Sequence, residues 1–157
     1  MTDLAPPTIR VNLPDGWEGS SEAALAAAAR AALRTGRADG RALPEGAELS
    51  VTLLPSEAMR ALNRDYHGED DVTDVLAFGL GEEPWLGDVY ICPEFAEASA
   101  REFGLDPGEE ILRLVVHGTL HLLGHDHPEG EARYTSPMFE LQERLLARLL
   151  AEFRDPA

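Results

Sequence analysis

Residues 117–127, HGTLHLLGHDH, constrain the fold more than any other stretch, because they hold four of the five histidines of this 157-residue chain. His117 and His121 are four residues apart, and in a helix such residues share a face with their Cβ atoms about 5–6 Å apart. Gly124 permits the left-handed turn that ends many helices, and the resulting reversal can return His127 to the same point. The spacing therefore predicts a helix and a sharp turn that together place three imidazole nitrogens around one metal ion.

Three protein ligands leave one coordination position for water, which is typical of catalytic zinc, whereas structural zinc is usually closed by four ligands. The same spacing occurs in the metzincin signature H-E-x-x-H-x-x-G-x-x-H, so a zincin-like metal-binding helix is expected. In metzincins the glutamate beside the first histidine is the general base, and here that position is Gly118, which cannot transfer a proton. Peptide hydrolysis is therefore disfavoured, although a carboxylate from elsewhere in the chain can in principle replace the missing base.

Two neighbours of the ligand set have expected roles outside the metal shell. Ligand imidazoles usually donate their second N–H to an acceptor, and Asp126 is a candidate acceptor. His125 is either a spare donor or an exposed side chain, and exposure is the expected state.

Turn residues and caps divide the rest of the chain into segments with strand or helix patterns. Strands are predicted at 6–14, 46–55, 74–80 and 86–92, and helices at 20–36, 56–66, 93–104, 106–124 and about 135–153. Ser56 is predicted to cap the second helix, with a polar loop at 67–73 and a turn at 81–85. The order β-α-β-α-β-β-α-α-α indicates one α+β domain over residues 1–157, with a small sheet packed against helices.

Composition limits the cellular setting and the partners. One cysteine, Cys92, excludes a disulfide framework and favours a reducing compartment. The first ten residues lack the basic start and apolar core of a secretory signal, and the alanine-rich run near the N-terminus is too short to span a bilayer. A cytoplasmic protein with no membrane contact is expected. The net charge of −16 repels nucleic acid at long range, although a local basic groove or a bound dication can overrule it.

Three stretches of this chain resemble the YbeY family, bacterial metal-dependent endoribonucleases of ribosomal RNA maturation. HGTLHLLGHDH matches the family pattern H-G-x-L-H-L-x-G-[YH]-D-H at every fixed position. LNRDYHGEDDVTDVLAF (62–78) resembles L-N-x-x-Y-R-x-x-D-x-P-T-[DN]-V-L-S-F, and LGDVYIC (86–92) resembles the L-G-D-I-x-I-S strand. The order and distances between the stretches also fit, so the resemblance extends from about residue 48 onward.

The resemblance implies a fold and a set of functional residues. It implies a small mixed β-sheet packed with helices, with a cleft beside the metal. It assigns His117, His121 and His127 as ligands of one metal ion, usually Zn²⁺. The implied function is single-strand endoribonuclease activity in ribosomal RNA maturation and ribosome quality control, with ribosomal RNA and ribosome components as partners.

The main departure from the family pattern is His67, which stands where family members commonly have an arginine thought to face the RNA phosphate. Arginine is always charged and grips phosphate with two hydrogen bonds, whereas histidine is only partly charged near neutral pH. His67 is the candidate catalytic residue, as a proton donor to the leaving oxygen or a weaker phosphate ligand, with an ordinary loop residue as the alternative. Val72, Ala77 and Gly79 also replace the usual proline, serine and proline.

Other residues near these motifs have weaker candidate roles. Arg60 and Arg64 can supply the missing positive charge, although solvated helix-surface positions are expected for both. Asp88 is a candidate for orienting a ligand or water, and Cys92 is expected to be a small buried residue rather than a fourth ligand.

Two alternative functions stay open at this point. One is a zinc metallopeptidase, which the ligand spacing supports and Gly118 opposes. The other is a non-catalytic ribosome-assembly factor whose metal organises a docking surface for a basic ribosomal protein or a GTPase. The acidic composition suits such a partner better than it suits RNA.

Overall fold

A four-stranded mixed sheet lies at the centre of the computed structural model, which describes residues 6–79 and 85–154. Its strands are β1 (Thr8–Asn12), β2 (Glu48–Leu53), β3 (Val75–Phe78) and β4 (Trp85–Ile91), in the order β1-β2-β4-β3. β1, β2 and β4 are parallel, and β3 pairs antiparallel with β4 at one edge. The predicted α+β fold with a small mixed sheet is confirmed.

The helices follow the predicted order, with one addition. They are α1 (Glu22–Leu33), α2 (Ser56–His67), α3 (Pro93–Phe103), α4 (Pro107–Leu122) and α5 (Pro137–Arg154), and a 3₁₀ helix (Gly130–Thr135) precedes α5. In the ranges 6–79 and 85–154, each helix is too short or too polar to cross a bilayer. Residue 80 of the predicted third strand and residues 81–84 of the predicted turn lie outside the described residues.

The helix ends differ from the prediction by up to three residues, and the differences at α2 and α5 have identifiable contacts. α2 begins after Pro55 with no side-chain cap, because the Ser56 hydroxyl lies 3.5 Å from the Cys92 sulfur instead. The same helix includes His67 and ends at Gly68, which has a left-handed φ of 72°. The last helix begins at Pro137 rather than Thr135, because the hydroxyl of the preceding serine accepts a hydrogen bond from the Phe139 amide and proline suits the first helical position.

The main core lies between one face of the sheet and helices α1, α4 and α5. Leu49, Val51, Val89 and Ile91 point to this face and are fully buried. α4 is the central helix of the layer, since it packs against α1, α3 and α5 as well as β3 and β4. Strand residues alternate between the two faces, so alternate residues of β2 and β4 form one apolar face, and α4 packs on it with its own apolar side.

A smaller cluster occupies the opposite face, where α2 covers the β3–β4 edge. Met59 of α2, Leu76 of β3 and Cys92 are buried together, with Tyr90 and Phe78 packed beside them. Cys92 is a buried free thiol, as expected.

α4 approaches the sheet most closely at Gly118. A Cβ atom there would lie 2.7 Å from Cγ1 of Val89 and 3.4 Å from Cγ2 of Val75. Contacts below 3.0 Å are essentially never tolerated, so the backbone can hold this position only without a side chain. The glycine therefore has a packing reason that is independent of any chemistry.

Substitution of Gly118 should destabilise the fold. Helix propensity alone favours Gly118→Ala by about 1 kcal/mol, but overpacking typically costs about 1–3 kcal/mol, and the side chain that it meets is β-branched and stiff. We expect a net loss of unfolding free energy for alanine and a larger loss for glutamate, measured by urea denaturation in excess chelator. Gly79→Ala is the matched control, because its nearest contact would be an ordinary 3.7 Å. Equal stability of Gly118→Ala and wild type would contradict this account.

Candidate metal centre

α4 and the turn after it place the three predicted ligand histidines. The Asp106 carboxylate accepts a hydrogen bond from the Glu109 amide and caps the helix start. At the other end the chain reverses at Gly124, whose φ is 92°, a conformation that is strained for residues with a side chain. The His125 amide then donates to the Leu120 carbonyl at 3.0 Å, which fixes the reversal and carries His127 back beside α4.

The three rings converge on one point. The Nε2 atom of His121 lies 3.1 Å from Nε2 of His117 and 3.2 Å from Nε2 of His127. Zinc–nitrogen bonds of about 2.0–2.1 Å place two tetrahedral nitrogen ligands about 3.3 Å apart, which agrees with both distances. The three half-buried histidines are therefore placed to bind a metal ion.

The second nitrogens of two rings face hydrogen-bond acceptors. His117 Nδ1 lies 2.6 Å from Oε1 of Gln142, a buried residue of α5, and His127 Nδ1 lies 2.9 Å from the Pro128 carbonyl oxygen. An acceptor at Nδ1 favours the tautomer that carries its proton there, which leaves the Nε2 lone pair free for a metal.

A chain of polar contacts continues from Gln142. Its Nε2 donates to Glu143 at 3.1 Å, and the same carboxylate oxygen accepts from Arg113 at 2.9 Å. Arg113 also donates to Glu110 at 2.6 Å. The Gln142 amide thus contacts Glu143 through its nitrogen and His117 through its oxygen, and the contact with Glu143 orients the oxygen toward His117.

Burial favours the neutral form of His117 and His121. Desolvation lowers the pKa of His117, and desolvation with the neighbouring rings His117 and His127 lowers the pKa of His121 to about 4. The charge of Arg133 acts in the same direction on His117. At neutral pH the His121 ring is therefore in the unprotonated form that a metal requires.

Several expected roles near the centre are corrected. Asp126 accepts a hydrogen bond from the His127 backbone amide at 2.8 Å, while Gln142 and Pro128 provide the ring acceptors described above. His125 is half-buried rather than exposed, because its Nε2 lies 3.2 Å from the Gly36 carbonyl oxygen. Asp88 bonds to the Ser50 hydroxyl, and it alternates with Val89, so it lies on the sheet face away from α4.

A large cleft, here called the histidine cleft, opens beside the centre. Its volume is about 940 Å³, and His67, His117 and His127 all line it. His67 is exposed and its ring meets Phe78 edge-on at 5.7 Å. The structure thus brings the candidate catalytic residue and two candidate ligands to the same cleft.

Arg60 and Arg64 do not line the histidine cleft. Arg60 makes two hydrogen bonds to Asp70, at 2.8 and 3.0 Å, and this pairing lowers the pKa of the Asp70 carboxyl. Arg64 lies 3.4 Å from Asp65. Both side chains are exposed and paired with a carboxylate, in agreement with the expected positions on the helix surface.

Gln142 and Arg133 are among the cleft residues that were missed from the sequence. Gln142 follows Met138 by four residues on the buried stripe of α5, and a polar residue in an apolar stripe is a signal that was available. Arg133 lies on the 3₁₀ helix and lines the cleft, and its isolated position in the sequence carried no such signal.

The fold and the site define a small α+β protein with a three-histidine centre that opens to a cleft. The solution structure of TM1509 from Thermotoga maritima has the same fold, with a TM-score of 0.62 and 31% sequence identity over 95% of this chain and 93% of that chain.

Sequence comparison then identifies the family. The model of the family described as Endoribonuclease YbeY matches residues 17–150. A relative of that name from Sulfurihydrogenibium sp. is 44% identical over 110 residues, which covers 67% of this chain and 72% of the relative. Another from Geobacillus kaustophilus is 44% identical over 119 residues, covering 68% and 75%. The chain belongs to the endoribonuclease YbeY family, as the sequence motifs predicted.

Removing the acceptor at His117 should weaken metal binding. Gln142→Met keeps the approximate volume but loses the hydrogen bond to Nδ1, and loss of such an acceptor typically costs about 10–100-fold in metal affinity. Zinc affinity is measured by competition with a chromophoric chelator at fixed pH. Met138→Leu, a buried change on the same helix without a polar contact to the rings, is the control. Unchanged affinity in Gln142→Met would show that the contact does not orient the ring.

The metal-free protein should lose stability on the acid side. Histidine in the unfolded chain titrates near 6.5, whereas the pKa of folded His121 is about 4, so between these values protons bind the unfolded chain preferentially. The unfolding free energy should fall as the pH falls from about 6.5 to about 4, measured by urea titration in excess chelator. His121→Gln should reduce this fall and His125→Gln should retain it. An equal fall in wild type and His121→Gln would rule out this origin.

Proposed function

We propose that this chain is a zinc-dependent single-strand endoribonuclease, a hydrolase that acts in ribosomal RNA maturation and ribosome quality control. The observation that carries the proposal is the convergence of three Nε2 atoms beside a cleft of about 940 Å³ in a chain that belongs to the YbeY endoribonuclease family. The curated relatives bear the name Endoribonuclease YbeY.

In this proposal His117, His121 and His127 are the ligands of one Zn²⁺ ion. Three neutral imidazoles suit zinc, and they leave a coordination position for water or substrate. A divalent ion in such a site supplies Lewis-acid polarisation of a phosphoryl oxygen and acidifies water. The chain itself orients the rings through Gln142 and the Pro128 carbonyl.

We assign the catalytic role of proton donor to His67. It is exposed on the same cleft as the metal centre, and its ring is steadied by the edge-on contact with Phe78. Donation to the leaving oxygen of the phosphodiester is a general-acid step, for which histidine is the most frequent side chain.

The peptidase alternative has little support. A Cβ at position 118 would lie 2.7 Å from Cγ1 of Val89, so the side chain of a glutamate there would start toward the sheet rather than toward the metal centre. The family comparison also indicates RNA rather than peptide as the substrate class.

The proposed partners are ribosomal RNA and ribosome components, and the proposed location is the cytoplasm, with residues 1–157 acting as a single domain. An additional partner is a basic ribosomal protein or a GTPase, and the net charge of −16 supports the basic protein, because opposite charge accelerates association. Ribosome docking and RNA cleavage are compatible roles.

The enzymatic proposal is tested with His117→Ala, His121→Ala and His67→Gln. Zinc-loaded wild type should cleave single-stranded ribosomal RNA fragments, and chelator or either alanine variant should abolish cleavage because the ligand set is incomplete. His67→Gln should retain zinc but lose about 100-fold or more in rate, with loss of one limb of the pH–rate profile.

His125→Ala is the matched histidine control and should cleave at close to the wild-type rate. Metal-independent cleavage, or cleavage by wild type no greater than by the two ligand variants, would refute the enzymatic proposal. Ribosome co-sedimentation of the inactive variants would then favour the assembly-factor alternative.

A further inference from the structure

The histidine cleft is acidic, which is unfavourable for a phosphate chain. Its carboxylates come from the loop between α2 and β3, from α4, from α5 and from the turn after His127, and are Glu69, Asp74, Glu110, Glu129 and Glu143. Two arginines, Arg113 and Arg133, also line it. The free positive charge of these arginines decides whether RNA has a phosphate contact beside the metal centre.

The positive charge of Arg113 is already paired with two carboxylates. Its guanidinium donates to Glu110 at 2.6 Å and to Glu143 at 2.9 Å, and the side chain is 17% exposed. Two carboxylates already occupy its donors, and withdrawing it from them would break the network that holds Gln142. It therefore serves the protein scaffold rather than the substrate.

Arg133 is in the opposite state. It is exposed on the 3₁₀ helix, six residues after His127. Among residues 6–79 and 85–154, no carboxylate forms an ion pair with it. Its Cζ atom lies 5.1 Å from the ring centroid of Tyr134, and that ring packs edge-on against Phe139 of α5 at 5.5 Å.

This arrangement prepares the guanidinium for an anion. A cation–π contact attracts the guanidinium to the ring without using a conventional hydrogen bond, and arginine has five N–H donors. The Tyr134 contact therefore limits the motion of Arg133 without consuming its donors. Arginine in this state matches the oxygens of a phosphate with two parallel hydrogen bonds.

We propose that Arg133, steadied by Tyr134, binds a backbone phosphate of single-stranded RNA beside the metal centre. This inference rests on the proposed function, and it names the residue that supplies the phosphate contact in a chain with His67 at the usual arginine position. In the chain, Arg133 follows the ligand histidines, whereas position 67 precedes them.

The test measures binding of a 2′-O-methyl oligouridylate to the zinc-loaded protein over a series of salt concentrations. Arg133→Gln should bind about tenfold more weakly at low salt, as expected for loss of a charged hydrogen-bonding group. The slope of log affinity against log salt should fall by about 0.7, the value for one phosphate contact in a single strand. Arg133→Lys should keep the slope and recover part of the affinity, because lysine retains the charge without the fork.

Arg144→Gln is the matched control, since it removes the same charge from an exposed position on α5 that does not line the cleft. Equal affinity and slope in Arg133→Gln and Arg144→Gln would overturn the inference, while zinc-dependent cleavage by wild type would leave the proposed function standing. Absence of cleavage with the predicted Arg133 effect intact would refute the proposed function alone. Absence of oligonucleotide binding by wild type would overturn the phosphate contact.

Discussion

The close contact between Gly118 and Val89 sets the orientation on which the candidate centre depends. Successive helix residues are rotated by about 100°, so when Gly118 faces the sheet, His117 and His121 lie within about 40° of each other on a neighbouring side. His117, on that side, lines the histidine cleft. The glycine therefore determines the rotation of α4 as well as its distance from the sheet, and both ligand positions follow from it.

The polar network behind His117 has a similar orienting role. Ion pairs contribute little net stability when desolvation offsets the Coulomb attraction, so the partly buried Arg113 contacts to Glu110 and Glu143 are poorly explained as stabilisers. Their effect is geometric, since Glu143 holds the Gln142 amide and the amide oxygen meets His117. Among the described residues, each buried side-chain nitrogen or oxygen has a hydrogen-bond partner, so the network is closed.

The parts predicted from sequence are those that local geometry determines. The ligand set required only the pitch of one helix and the turn at Gly124, and the order of strands and helices required only periodicity and caps. The hydrogen-bond partners of His117 and His125 could not be predicted from local geometry. Gln142 and Gly36 are distant in the sequence, and they contact these histidines only because α5 and α1 pack beside α4. Asp88 was misplaced for the same reason, since its sheet face depends on pairing with β2.

The net charge of −16 and an RNA substrate are compatible only if binding is decided locally. At physiological salt, charges beyond a Debye length of about 8 Å are largely screened, so a phosphate in the histidine cleft responds mainly to the groups around it. In the proposed site, a dication held by the three histidines and the guanidinium of Arg133 would be the positive groups near that phosphate. The remaining acidic surface would discourage contact elsewhere, so RNA would bind where a phosphate reaches both positive groups and only weakly at other positions.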